Sequence, residues 1–211
     1  MKEDEAARIP ETLPVMVLSG ATLFPFGYMP LFIFEERYRE MLGHVLDRDR
    51  MFCVGNALPG VDAKGHSDPV RRYTTAGLVR ACVTHPNGTS HLMLSGLQRV
   101  EIVGWEQDEP FRVARVVPRP SHVEDIEAVA TVARTVVDLC GRLSGADQPI
   151  SSDLREHLKG VRDPAAISDV VAQNFVSDSL DRQSLIETLD VLERLNYLSQ
   201  HLSMRLAKEQ G

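Results

Sequence analysis

The hydrophobic period of this chain changes once. Up to Pro118 the apolar residues mostly recur at every second position, in short runs broken by Gly, Pro and Asn. Beyond Pro118-Arg119-Pro120 they recur at every third or fourth position. A period of 2 belongs to strands and a period of 3.6 to helices, and prolines at the change can continue neither a ladder nor a helix. Two lobes are therefore predicted, a β lobe over residues 1–118 and a helical lobe over residues 119–211.

Within the first lobe the alternating runs predict strands over Leu13–Leu18, Met29–Ile33, Met51–Ala57, Leu78–His85, His91–Ser95, Gln98–Val103 and Phe111–Val117. One helix should interrupt them over about residues 35–46, because Tyr38, Met41, Leu42 and Val45 recur at helical spacing. The sharpest local signal is Asn87-Gly88 between two alternating runs. A two-residue type I′ turn needs positive φ at both central positions, and these residue types accept it. That turn would pair Thr84 with His91 and Val83 with Leu92, placing Val79, Ala81, Val83, Leu92 and Leu94 on one core face. Asn87-Gly88-Thr89 also matches the N-glycosylation pattern, which matters only in an exported chain.

In the second lobe Ile126, Val129, Val132, Ala133, Val136, Val137, Cys140 and Leu143 mark a long helix ending near residues 141–145. A short helix follows over Ser152–Leu158. A third should start at Asp163-Pro164, where an N-cap acceptor precedes a ring at the first helical position. Leu185, Leu189, Leu192, Leu195, Leu198, Leu202 and Leu206 then predict one long amphipathic helix, with Glu193 and Arg194 assigned to its other face.

Composition restricts what such a fold can do. With 43% hydrophobic and 25% charged residues the chain can bury a core, and no apolar run approaches the roughly 20 residues that cross a bilayer. The charged N-terminal stretch has no apolar signal segment. Cys53, Cys82 and Cys140 form no Cys-x-x-Cys pair, so neither a disulfide framework nor a thiolate metal site is signalled, and a cytoplasmic setting is expected. A net charge of −7 with dispersed Lys and Arg disfavours a nucleic-acid partner.

No enzyme signature survives inspection. The chain contains no Gly-Lys dipeptide for a phosphate loop, no Gly-x-Ser-x-Gly elbow and no His-Glu-x-x-His helix. Cys82, His85 and His91 are the nearest approach to a metal cluster, yet the expected register sends Cys82 and His91 to one face and His85 to the other. The acidic pairs Glu35-Glu36, Asp108-Glu109 and Glu124-Asp125 fall at helix starts or in loops, where they suit the helix dipole or water. Neither a catalytic residue, a metal nor a cofactor is expected.

Several segments, taken in order, carry a resemblance: Leu13–Leu18, Leu23-Phe24-Pro25 and Met29–Tyr38, then Leu94–Val100, Val161–Pro164, Asp181–Leu185 and Asp190–Leu195. Together they resemble the N-terminal, substrate-recognition domain of the Lon proteases over nearly the whole chain. The resemblance implies an α+β fold, a PUA-like antiparallel pseudo-barrel followed by a small helical bundle with a long amphipathic last helix. It implies a freestanding member, since neither an ATPase nor a Ser-Lys peptidase follows Gly211. Many relatives have Gly directly after the first Pro, where this chain has Phe26 and then Gly27.

The function implied is a non-catalytic module that binds unfolded or apolar polypeptide segments, as an adaptor or regulator of ATP-dependent proteolysis beside a full-length Lon-type protease, or alone. A PUA-like RNA-binding module and a cryptic hydrolase stand as alternatives. Phe24, Phe26, Tyr28 and Met29 are the candidate polypeptide-binding residues, because an aromatic-rich run fixed by prolines can form an exposed patch as well as a core. Arg37, Tyr38 and Arg99 are expected to be structural anchors.

Overall fold

A computed structural model describes residues 8–58, 69–143 and 152–209. The chain divides into two compact units, residues 1–119 and 120–211.

The first unit is a mixed six-stranded sheet with one helix: β1 (Thr12–Leu18), β2 (Tyr28–Ile33), α1 (Glu36–Leu46), β3 (Met51–Asn56), β4 (Tyr73–Thr84), β5 (Ser90–Gln107) and β6 (Arg112–Pro118). The strand order is β2-β5-β4-β3-β1-β6, and β5 pairs with β6 as well, so the pairings return to their start with β2 appended outside. All pairs are antiparallel except β1 with β3. The exception to the expected antiparallel pattern follows from connectivity, since β2 and α1 together form the long crossover that a parallel pair requires.

Two apolar clusters hold this unit. Leu13, Val15 and Val17 of β1 meet Cys53, Ala76, Val100 and Ala114 in one. Met16 turns to the other, where Phe52, Leu92 and Leu94 receive the Tyr38, Met41, Leu42 and Val45 face of α1. β1 is thus buried on both faces, as its unbroken apolar run requires. Pro14 is tolerated because pairing with β3 begins one residue later, at Val15. The Tyr38 hydroxyl accepts from the Val17 N–H at 3.1 Å and donates to its carbonyl at 3.0 Å. Burial pushes its pKa up. Arg37 stacks 4.5 Å over the Tyr38 ring and pairs with Glu35 at 2.9 Å, so both residues anchor the start of α1.

The hairpin departs from the expected register by one residue: Thr84 faces Ser90, Val83 faces His91 and Cys82 faces Leu92. Among the described residues, positive φ outside glycine occurs only at Phe26 and Arg50, so Asn87 lacks the conformation that a type I′ turn needs. Instead the His85 N–H donates to the Thr89 carbonyl, the Gly88 N–H to the His85 carbonyl, and Gly88 alone has positive φ (80°). This is a three-residue loop with a glycine bulge. One residue of slip exchanges faces, and a second irregularity between Val79 and Ala81 compounds it. Val79, Leu92 and Leu94 are core as expected, whereas Ala81 and Val83 are exposed. β5 also runs unbroken through Gly96, where two strands were expected.

The second unit contains α2 (Ile126–Leu143), α3 (Ser152–Gly160), α4 (Pro164–Phe175), α5 (Ser179–Glu187) and α6 (Val191–Glu209). Asp163 caps α4, accepting from the Ala165 N–H at 3.0 Å. The leucine repeat is not one helix. It breaks at residues 188–190, where Asp190 accepts from the Glu193 N–H at 2.7 Å and starts α6 afresh. Arg194 is buried. Its guanidinium donates to the carbonyls of Thr188 and Leu189, satisfying oxygens that the break releases.

Candidate functional site

The segment from Leu23 to Phe34 is where large apolar side chains divide between core and surface. The structure separates the four candidate residues. Phe24 is wholly buried, and Met29 packs half-buried against the α1 cluster. Phe26 is 50% and Tyr28 60% exposed. Strand alternation explains the division along β2: Met29, Leu31 and Ile33 turn inward, while Tyr28, Pro30 and Phe32 turn outward. Phe24 can reach a ligand only by leaving the core, so it supports the loop from beneath.

The loop is closed by backbone contacts. The Phe26 N–H donates to the Gly96 carbonyl, the Gly96 N–H to the Gly27 carbonyl, both at 2.9 Å, and the Gly27 N–H to the Phe24 carbonyl at 3.0 Å. A Cβ on Gly96 would lie 2.0 Å from the Phe24 oxygen, so only glycine permits this approach. Phe26 itself is held at φ 61°, a conformation costly to a bulky residue. Phe26 therefore carries backbone strain with its ring half exposed.

The outward face continues across three strands. Phe32 lies opposite His91 of β5, and His91 opposite Val83 of β4. The Phe32 ring stacks on His91 at 4.6 Å and on Phe34 at 5.8 Å. Phe34 and Val83 are each 61% exposed. Between these strands runs a shallow cleft of about 420 Å³ lined by Pro30, Phe32, Ala81, Val83, His91 and Met93 among others. Its lining residues include no Asp, Glu, Lys or Arg. Such a surface can offer adaptable apolar contact. Sequence reasoning missed Phe32, Phe34 and Val83. The i, i+2 recurrence of Tyr28, Pro30, Phe32 and Phe34 contains the signal for the first two, but period alone does not tell which face is buried.

Among the described residues the histidines, cysteines and acidic pairs do not converge on one site. His85 and His91 meet edge to face at 5.2 Å, which reverses the expected separation, while Cys82 turns to the opposite side of β4 from Val83. No group of three or more His, Cys, Asp or Glu could hold a metal among the described residues. Burial pushes the Cys53 and Cys140 thiols up to about 12, far from a reactive thiolate. Asp125 accepts from the Ala128 N–H at 2.9 Å and Glu35 pairs with Arg37, so these carboxylates serve helix starts. No helix among the described residues is long and apolar enough to cross a membrane.

This fold is shared with solved Lon N-terminal domains. The N-terminal domain of Mycobacterium avium complex Lon protease superposes with a TM-score of 0.70 at 15% identity, over 91% of this chain and 98% of that one. A Lon N-terminal domain protein from Xanthomonas campestris gives 0.63 at 20% identity, over 89% and 96%. Residues 12–204 match the family model of the ATP-dependent protease La (LON) substrate-binding domain, and the chain belongs to that family. In sequence it is 25% identical to the Lon protease of Trichlorobacter lovleyi over 95% of its length, and 28% identical to Lon protease 2 of Herpetosiphon aurantiacus over 92%. It spans about a quarter of the length of these curated relatives, 25% and 24% respectively. The matched region is the substrate-binding domain, distinct from peptidase and ATPase domains.

Proposed function

We propose that this chain is a non-catalytic binding module for unfolded, apolar segments of polypeptide, acting in the cytoplasm as an adaptor or regulator of ATP-dependent proteolysis, with a full-length Lon-type protease as its partner. The observation that carries this reading is the concentration of exposed aromatic side chains on one short stretch, Phe26, Tyr28, Phe32 and Phe34, in a chain of the Lon substrate-binding family. Rigid rings placed by a fixed loop lose little entropy on binding, and a cleft without formal charges selects for apolar occupants. Phe24 and Met29 contribute from beneath by holding the loop. The test is titration of the chain against a fluorescently labelled client, kept unfolded by reduction and alkylation, with and without ATP. Saturable binding that is independent of ATP and absent for the folded client supports the reading, and no binding at all removes it.

A further inference from the structure

Among the described strands, β2 is the one with a single strand partner, whereas each of the others has a partner on both sides over part of its length. β1 lies between β3 and β6, β3 between β1 and β4, β4 between β3 and β5, and β6 between β1 and β5, while β5 carries β2 in addition to β4 and β6. β2 pairs with β5 alone. The sheet closes through β5 and β6, and β2, outside that closure, has no described strand along the whole of its other edge, which borders the exposed aromatic face.

The hydrogen-bonding frame of the edge follows from the register. The Gly96 N–H donates to the Gly27 carbonyl, and in an antiparallel pair the bonded residues alternate. Met29, Leu31 and Ile33, opposite Leu94, Leu92 and Ser90, are then the residues bonded to β5. Tyr28, Pro30 and Phe32 turn their main-chain groups to the open side. Pro30 agrees with this frame, since it has no N–H to give β5 and is tolerated only where none is required. The edge thus offers the N–H groups of Tyr28 and Phe32 and three carbonyls, beside side chains that alternate outward at the same positions.

We propose that the open edge of β2 takes an extended client segment as an additional strand, with the client's alternate side chains lying along Tyr28 and Phe32. This rests on the polypeptide-binding reading above and narrows it: the substrate class is an extended stretch with uncharged apolar residues at every second position, and amphipathic helices are excluded. Unpaired edges pair readily with other chains. Pro30 removes the middle donor from this one, which limits the ladder and suits reversible capture over permanent pairing.

Backbone-modified peptides test the proposal without altering the protein. A labelled peptide alternating valine and threonine is compared, by fluorescence anisotropy, with two derivatives N-methylated at the valines or at the threonines. In strand addition only one of these sets of N–H groups faces β2. One derivative is expected to bind roughly tenfold more weakly, as the loss of a few backbone hydrogen bonds implies, and the other like the parent. Equal affinity of all three overturns strand addition while leaving side-chain capture intact, whereas failure of the parent peptide and of unfolded client together removes the underlying reading. A chain that sediments as a dimer and excludes the peptide assigns the edge to a second copy and also overturns the proposal.

Discussion

Arg194 of α6 lies 3.8 Å from the Asp169 carboxylate of α4, with the two side chains 1% and 2% exposed. The same guanidinium donates to Ser168 Oγ at 3.0 Å, to Ser121 Oγ at 2.9 Å, and to the carbonyls freed where the leucine repeat breaks. One buried cation therefore ties together α4, the start of α6 and the segment before α2. Removing it leaves a carboxylate inside without its counter-ion. Arg194→Ala is expected to lose about 3 to 5 kcal/mol in urea unfolding. Arg194→Met with Asp169→Leu should recover much of that loss, and a single variant as stable as the parent would show the pair is not buried as described.

The stripe of α6 is graded. Leu195 is fully buried and Leu192 half-buried. An aspartate at either position places a charge against apolar surface, at a cost of several kcal/mol where burial is complete. Leu195→Asp should lower the melting temperature well beyond Leu192→Asp, as read by circular dichroism. Equal and small shifts would contradict the packing of this helix.

Thiol chemistry should follow burial. Cys53 and Cys140 are buried with pKa values pushed up to about 12, whereas Cys82 is half-buried. Iodoacetamide on the native chain, followed by mass spectrometry, is expected to label Cys82 first and the other two only after denaturation. A folded-state pKa above the unfolded one favours the fold while the thiol stays protonated. That contribution is complete below the unfolded thiol value and is lost as pH rises towards 12. Stability should fall in that alkaline window, and less steeply in Cys53→Ala.

The loop over Gly96 supplies a prediction of sign. Gly96→Ala drives a Cβ into the Phe24 carbonyl and should destabilise, by about 1 to 3 kcal/mol on the scale of overpacking. Phe26→Gly relieves a positive φ worth roughly 1 to 2 kcal/mol and gives back part of that through unfolded-state entropy. Its stability should therefore equal or exceed that of the parent while capture of unfolded client weakens. A marked loss of stability would mean the Phe26 ring is needed for packing.

Most of the architecture was legible because it rests on local rules. The stripe of α1, the cap at Asp163 and the change of period near Pro118 each depend on neighbours in sequence. The hairpin register was not legible, since Asn87-Gly88 suits both a two-residue turn and a glycine bulge, and only the absence of positive φ at Asn87 decides between them. The break before α6 was hidden by leucines whose spacing runs through it, although Asp190 and Glu193 together formed a readable start signal. Arg194 looked like a surface charge because nothing in the sequence announces the carbonyls and carboxylate it meets inside. For the candidate site, the Phe24–Met29 run marked a segment rich in apolar side chains, but burial of Phe24 and exposure of Phe32 and Phe34 depend on which face of β2 the core covers.

The aromatic face is tested most directly by Tyr28→Ser combined with Phe32→Ser, set beside Leu180→Ser, an exposed leucine of α5 as control. The measurement is the dissociation constant for the labelled, unfolded client, taken with melting curves of each variant. Both variants are expected to fold. The double variant should bind more weakly by roughly 1 to 3 kcal/mol, the scale of modest hot spots, and the Leu180 variant like the parent. A folded double variant that binds the client as tightly as the parent would contradict the account.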